Sequence, residues 1–256
     1  MSLDVQTLLG PNDLAPVEIV NADSTSPIVL LCEHAGRAIS QALGNLGVSE
    51  DVIQSHRGWD IGAEKVARQI ADLLQAPLVI QRYSRLVLDC NRPPDSPLAI
   101  PHVSDQIEIS GNASLNAAER TMRVHEIFQP MDAALNKLFV HHPRRAAFSI
   151  HSFTSHMNGF DRPWHAGFLA RTKTDTAAAM MDHIAAIRSD LTLAMNEPYQ
   201  IENDSDWFIP AHAEAIGLAH CLIEIRNDQL LDADGVVAWA DLLAGAIAAT
   251  LERAST

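Results

Sequence analysis

Two segments of this sequence each deliver an imidazole from the end of an apolar run. Ile28-Val29-Leu30-Leu31-Cys32 leads into Glu33-His34-Ala35-Gly36, and Ala147-Phe148-Ser149-Ile150 leads into His151-Ser152-Phe153. Zinc in a catalytic site takes three protein ligands, commonly two histidines and a carboxylate, and leaves a fourth position for water. His34 and His151 fit two of these places. Asp60, in His56-Arg57-Gly58-Trp59-Asp60-Ile61-Gly62, is the first candidate for the third, with Glu33 in reserve. Each residue also has a plainer reading. A histidine at a strand end is more often a hydrogen-bonded structural residue, and Asp60 stands where a helix N-cap would.

A carboxylate interrupts a third apolar run, Cys221-Leu222-Ile223-Glu224-Ile225-Arg226. Burying a lone charge there costs on the order of several kcal/mol unless it is paired. Glu224 is therefore either half of a structural ion pair with Arg226, which shares its strand face, or a general base that takes a proton from water. The run Arg85-Leu86-Val87-Leu88-Asp89-Cys90-Asn91-Arg92 spaces Arg85, Asp89 and Asn91 evenly, as on one face of a strand. Arg85 is a candidate for stabilising a developing oxyanion. Asn91 and Arg92 could clamp a substrate carboxylate through amide and guanidinium donors, or form a solvated turn before the prolines. His212 and the loop Asn196-Glu197-Pro198-Tyr199 are candidates for shaping an acyl pocket.

The elements that must place these residues alternate between short apolar runs and segments of helical period, the pattern of an α/β domain with a mostly parallel or mixed sheet. Strands are expected at 28–33, 78–81, 85–90, 147–151, 167–170 and 220–225. Helices are expected at 61–74, 117–138, 175–188, 205–216 and 236–253. Gly217 suits a left-handed helix end, and Asp204 or Ser205 could cap the start of the helix before it. The segment 91–111 reads as a long irregular loop, a length usually reserved for function or disorder.

The 256 residues, 47% of them hydrophobic, are expected to form one domain over 1–256. The start Met1-Ser2-Leu3-Asp4 lacks the basic-then-apolar order of a signal peptide, and no run approaches eighteen apolar residues, so a cytoplasmic chain with no membrane partner is expected. Cys32, Cys90 and Cys221, each in an apolar run, read as buried thiols. The net charge of -14 disfavours nucleic acid and anionic membranes. An anionic small substrate would need a local basic pocket. The sequence has no nucleophile elbow, dinucleotide loop or phosphate loop. Cys32 as a nucleophile is disfavoured by its apolar setting.

Taken in order, Glu33-His34-Ala35-Gly36, Trp59-Asp60-Ile61-Gly62-Ala63, Leu88-Asp89-Cys90-Asn91-Arg92-Pro93, Ile150-His151-Ser152-Phe153 and Leu222-Ile223-Glu224-Ile225-Arg226 resemble the N-formylglutamate amidohydrolase family, from about Ile28 to Leu243. That family is related to zinc carboxypeptidases and succinylglutamate desuccinylases. The resemblance implies a phosphorylase/hydrolase-like (zinc-exopeptidase-like) three-layer sandwich with a mixed sheet. It also implies one divalent metal, expected to be Zn2+, and a small anionic N-acyl amino acid such as N-formyl-L-glutamate as substrate. On the carboxypeptidase pattern His34 resembles the first zinc ligand, His151 the late one, Asn91-Arg92 the carboxylate-binding pair and Glu224 the catalytic glutamate. Arg37 stands where carboxypeptidases place a glutamate ligand, which leaves Asp60 or Glu33 to supply the carboxylate. The rival readings are a non-catalytic binding or regulatory protein on the same fold, and a non-haem iron oxygenase, which the α/β pattern disfavours.

Overall fold

The computed structural model describes residues 7–253. The segment Met1–Asp4 lies outside the described residues. In chain order the strands are β1 (Val17–Val20), β2 (Ile28–Cys32), β3 (Leu78–Gln81), β4 (Val103–Ser104), β5 (Ile107–Glu108), β6 (Ala146–Phe153), β7 (His156–Met157), β8 (Phe160–Asp161), β9 (Ala166–Leu169), β10 (Leu193–Met195) and β11 (Ala219–Arg226). The α-helices are α1 (Glu50–Gln54), α2 (Ala63–Leu74), α3 (Ala117–Arg123), α4 (Gln129–His141), α5 (Asp175–Ile187) and α6 (Ala233–Arg253). Seven strands form one sheet in the order β1-β3-β2-β6-β11-β9-β10. Its centre is parallel, while β1 joins β3 and β9 joins β11 antiparallel, so the sheet is mixed.

Every residue of β2 and β6 is buried, because helices cover both faces of the sheet. Alternation then divides one strand between two cores. Ile28, Leu30 and Cys32 join the layer that holds α2, α5 and α6, while Val29 and Leu31 join the layer that holds α4. Helix α2 buries Ala63, Val66, Ala67, Ile70 and Ala71, an i, i+3, i+4, i+7, i+8 stripe. Helix α6 is long and apolar enough to cross a membrane by length and composition. Here its Val236, Trp239, Leu243 and Ile247 are buried against the sheet-side core. Cys32, Cys90 and Cys221 are free, buried thiols, as expected.

The expected strand at 85–90 is not a strand. Ser84 accepts the amides of Val87 and Leu88 on its carbonyl and that of Leu86 on its Oγ, which winds the segment into a turn. The carbonyls a neighbouring strand would have satisfied are met by buried side chains, Asn112 at Leu86 and Arg123 at Val87. Leu86, Val87 and Leu88 are buried in the α4-side core, so their apolar character reflects burial and not pleating. The expected helix 117–138 is α3 and α4 joined through a π-helical stretch at Val124–Phe128, opened by an Asn116–Glu119 capping box. The expected helix 205–216 is reduced to a π-helical turn, Ile209–Glu214, with no side-chain cap. Gly217 does close it, at φ +73°.

Candidate active site

His34 lies just past the end of β2 and His151 near the end of the neighbouring parallel strand β6, and their rings meet edge-on with centroids 4.8 Å apart. Asp60 is brought between them by the backbone, since its amide donates to the His34 carbonyl at 2.8 Å. Its carboxylate is not a helix cap. The N-cap of α2 is Gly62, at φ +87°, where a side chain would strike Leu230. Asp60 Oδ2 instead lies 2.9 Å from His151 Nδ1 and 3.5 Å from His34 Nδ1, and accepts the Ser152 amide at 3.2 Å. Oδ1 accepts from Arg85 Nη2. Burial alone would raise the Asp60 carboxyl; Arg85 and the two imidazoles together hold it well below the usual range.

The outer nitrogen of each imidazole faces another carboxylate. His34 Nε2 is 2.7 Å from Asp89 Oδ1, and His151 Nε2 is 3.1 Å from Glu33 Oε1. Ser149 Oγ donates to the other oxygen of Glu33 at 2.6 Å. A histidine that ligates a metal through one nitrogen characteristically gives the other to a carboxylate, which fixes the ring and raises its basicity. Burial lowers the proton affinity of both histidines. The carboxylates, Asp89 for His34 and Glu33 with Asp60 for His151, outweigh it and raise both.

Donor atoms of His34, Asp60 and His151 lie within 4.8 Å of one another, all on buried residues. Two imidazoles backed by carboxylates and one converging carboxylate oxygen suit a divalent cation such as zinc. Glu33, the reserve ligand, lies on the far side of His151. The carboxylate nearest both inward nitrogens belongs to Asp60.

Glu224 pairs in register with His151 across β11 and β6. It does not pair with Arg226, whose guanidinium goes to Asp228 and to the carbonyls of Arg162 and Pro163. Glu224 Oε2 is buried without a hydrogen-bond partner. Burial, opposed by His151, pushes its carboxyl up to about 8. Buried acids with a raised pKa that line a cavity are candidates for proton transfer.

His34, Arg85, Asn91, Arg92, His151 and Glu224 line one cavity of about 720 Å³. Arg85, Asp89 and Asn91 do reach the same space, carried by the turn and not by a strand face. Arg85 contacts Asp60, the His56 carbonyl at 2.6 Å and His34 Nδ1 at 3.4 Å, leaving its Nε without a partner. Asn91 is already committed, donating to Asp206 at 3.0 Å and accepting the Trp207 amide at 3.4 Å. Arg92 gives Nε to Asp89 at 3.3 Å, and its terminal nitrogens have no hydrogen-bond partner among the described residues. His212 is not at the cavity. Its Nε2 is 2.8 Å from Asp132 of α4 and its ring stacks on Phe139, which makes it part of the packing between the π-helical turn and α4. Tyr199, from the loop expected to shape the acyl pocket, does line the cavity.

Sequence reasoning missed Asp89 and Glu33 as supports for the imidazoles, and Asp206 as the anchor of Asn91. Only the apolar settings of Glu33 and Asp89 signalled that each needed a buried partner.

A family model described as N-formylglutamate amidohydrolase matches residues 26–231. No curated protein matches the sequence. Among solved structures, a gene product of Agrobacterium tumefaciens is 35% identical with a TM-score of 0.92, covering 97% of this chain and 100% of that one. The N-formylglutamate amidohydrolase of Ralstonia eutropha is 16% identical with a TM-score of 0.66, covering 95% of this chain and 100% of that one. A tripeptide-bound cell shape determinant of Helicobacter pylori is 12% identical with a TM-score of 0.50, covering 92% of this chain and 55% of that one. At these identities the last two share the fold. The layered α/β arrangement with a mixed sheet is the one the sequence resemblance implied.

Proposed function

The chain belongs to the N-formylglutamate amidohydrolase family, and on that premise we propose that it is a metal-dependent, cytoplasmic hydrolase of the amide bond in an N-acyl amino acid. The reference substrate is N-formyl-L-glutamate, which yields formate and L-glutamate. The observation that carries this reading is the convergence of His34, Asp60 and His151, with His34, His151 and an unpartnered Glu224 lining one cavity. The three buried free thiols support the compartment.

His34, Asp60 and His151 would hold the metal, which when bound supplies Lewis acidity, making water more acidic and polarising a carbonyl oxygen. Glu224 accepts the proton of the attacking water on its carboxylate and returns it to the departing amine nitrogen. A carboxyl held near 8 by burial takes up a proton readily; a cation nearby lowers its pKa, so that it starts as the base. Arg85, which lines the cavity beside Asp60 and His34, is the cation available to the oxygen on which charge develops. Arg92 presents its terminal nitrogens to the substrate carboxylate, without help from Asn91.

The deciding experiment screens N-formyl, N-acetyl and N-succinyl amino acids for hydrolysis by zinc-loaded protein, with bound metal counted in wild type, His34→Ala and His151→Ala. About one ion per chain in wild type, its loss in both variants, and turnover of at least one compound class are expected. Metal retention by both variants would remove the site. Stoichiometric metal with binding but no turnover would make the protein a non-catalytic binder.

A further inference from the structure

The cavity holds far more than a formyl amino acid. Its volume of about 720 Å³ falls in the range of pockets that enclose a drug-sized ligand. Its charged lining is also wrong for a dianion. The arginines are Arg57, Arg85 and Arg92, and each already faces a carboxylate, Asp105, Asp60 and Asp89 respectively. Asp206 and Glu224 add further acid to the wall. Of the three arginines, Arg92 alone keeps both terminal nitrogens free of hydrogen bonds among the described residues. One carboxylate can be met there. A second, as on a glutamate side chain, would meet Arg57, whose Nη2 already serves Asp105, on a wall that also carries the carboxylates of Asp105, Asp206 and Glu224.

The loop that carries Arg92 continues to Leu98 and Val103, which line the same cavity and are 59% and 50% exposed. Met157 and Tyr199 supply further apolar surface. That part of the wall is braced from behind by Arg162, whose guanidinium lies 5.0 Å from the centre of the Tyr199 ring and donates to Tyr199 Oη at 3.2 Å and to the Met157 sulfur at 2.9 Å. Both sets of apolar side chains are presented to the cavity. Apolar lining with a few placed polar groups is the ordinary make-up of a small-molecule site.

From these observations we infer that the preferred substrate is an N-acyl amino acid with one carboxylate and an apolar side chain, its carboxylate on Arg92 and its side chain against Leu98 and Val103. The inference rests on the amide-hydrolase reading and narrows its substrate class away from glutamate.

The test compares N-formyl-L-leucine with N-formyl-L-glutamate as substrates of the zinc-loaded protein, and measures binding of both to Glu224→Gln by calorimetry. Wild type should favour the leucine compound at least tenfold in kcat/KM, as burial of one such side chain allows. Val103→Lys, a change at a half-exposed position, should reverse or abolish that ratio by adding a free cation to the wall. A wild-type preference for the glutamate compound, or a ratio unmoved by Val103→Lys, overturns the inference. If neither compound is hydrolysed, the binding measurement decides: tighter binding of the leucine compound upholds the apolar subsite while the hydrolase reading fails, and equal or weaker binding overturns the subsite itself.

Discussion

Glu33 approaches His151 from the side opposite Asp60, with Oε1 3.1 Å from Nε2, while Asp60 Oδ2 stands 2.9 Å from Nδ1. One imidazole is thus held between two buried carboxylates, of which only the inner one converges with His34. Glu33→Gln should keep the fold, because the amide can still face Ser149 and the ring. It should weaken divalent-metal binding by about 10- to 100-fold, the usual cost of losing a support behind a ligand. Competition with a chromogenic chelator measures this, and an unchanged affinity would reduce Glu33 to a packing residue. The raised proton affinities of His34 and His151 give the pH dependence its sign: metal must displace protons from both, so affinity falls as pH is lowered.

Glu224→Gln should retain metal and lose about 10²- to 10⁴-fold in kcat, the range for removal of a general base. Stability offers a separate check. The folded Glu224 binds its proton up to about pH 8, whereas an unfolded glutamate releases it near 4.5. The folded state therefore holds more protons across this window, and the metal-free protein loses stability as pH rises through it. Glu224→Gln lacks that loss, so in chelator at pH 9 its melting temperature should exceed that of wild type. A lower melting temperature would mean that the carboxylate has a structural partner.

Arg92→Lys should raise KM for an N-acyl amino acid well above its effect on the carboxamide analogue, since a lysine cannot offer two parallel donors. A charge-assisted hydrogen bond contributes roughly 1.5–3 kcal/mol, so a loss in kcat/KM of about ten- to a hundredfold is expected for the acid. Equal effects on acid and amide would move carboxylate recognition to another residue.

His212→Ala should lower the melting temperature and leave kcat and KM unchanged. The residue is buried on Asp132 and Phe139 outside the cavity, and removal of a buried hydrogen-bonded side chain destabilises by about 1–3 kcal/mol. A change in acyl specificity would instead restore His212 to the substrate pocket.

The central strands were legible because a strand buried on both faces reads as an unbroken apolar run, and a polar residue inside such a run stands out. That contrast marked His34, His151 and Glu224. The same contrast misled at 85–90, where the apolar side chains are buried by a turn that Ser84 winds, a feature set by one hydroxyl and one carbonyl. Strands β1 and β10 escaped notice because they are short and contain half-buried residues at the sheet edges, without a two-sided apolar signal. The roles of Glu33 and Asp89 depend on partners 118 and 55 positions away and have no local signature. His212, expected near the acyl pocket, is taken up by Asp132 on α4, a partner 80 positions away that has no local signature.

Asp89 touches His34 with one oxygen and Arg92 with the other. The proposed metal ligand and the proposed carboxylate clamp are therefore joined by a single carboxyl group. Removing the guanidinium leaves Asp89 less neutralised beside His34, which raises the affinity of that imidazole for a proton and for a cation alike and so shifts the metal affinity of the group. Substrate choice and metal retention cannot then drift apart independently in this chain. A lineage that abandoned the carboxylate at Arg92 would also have to retune the charge behind His34, and mutations at 89 and 92 would combine non-additively.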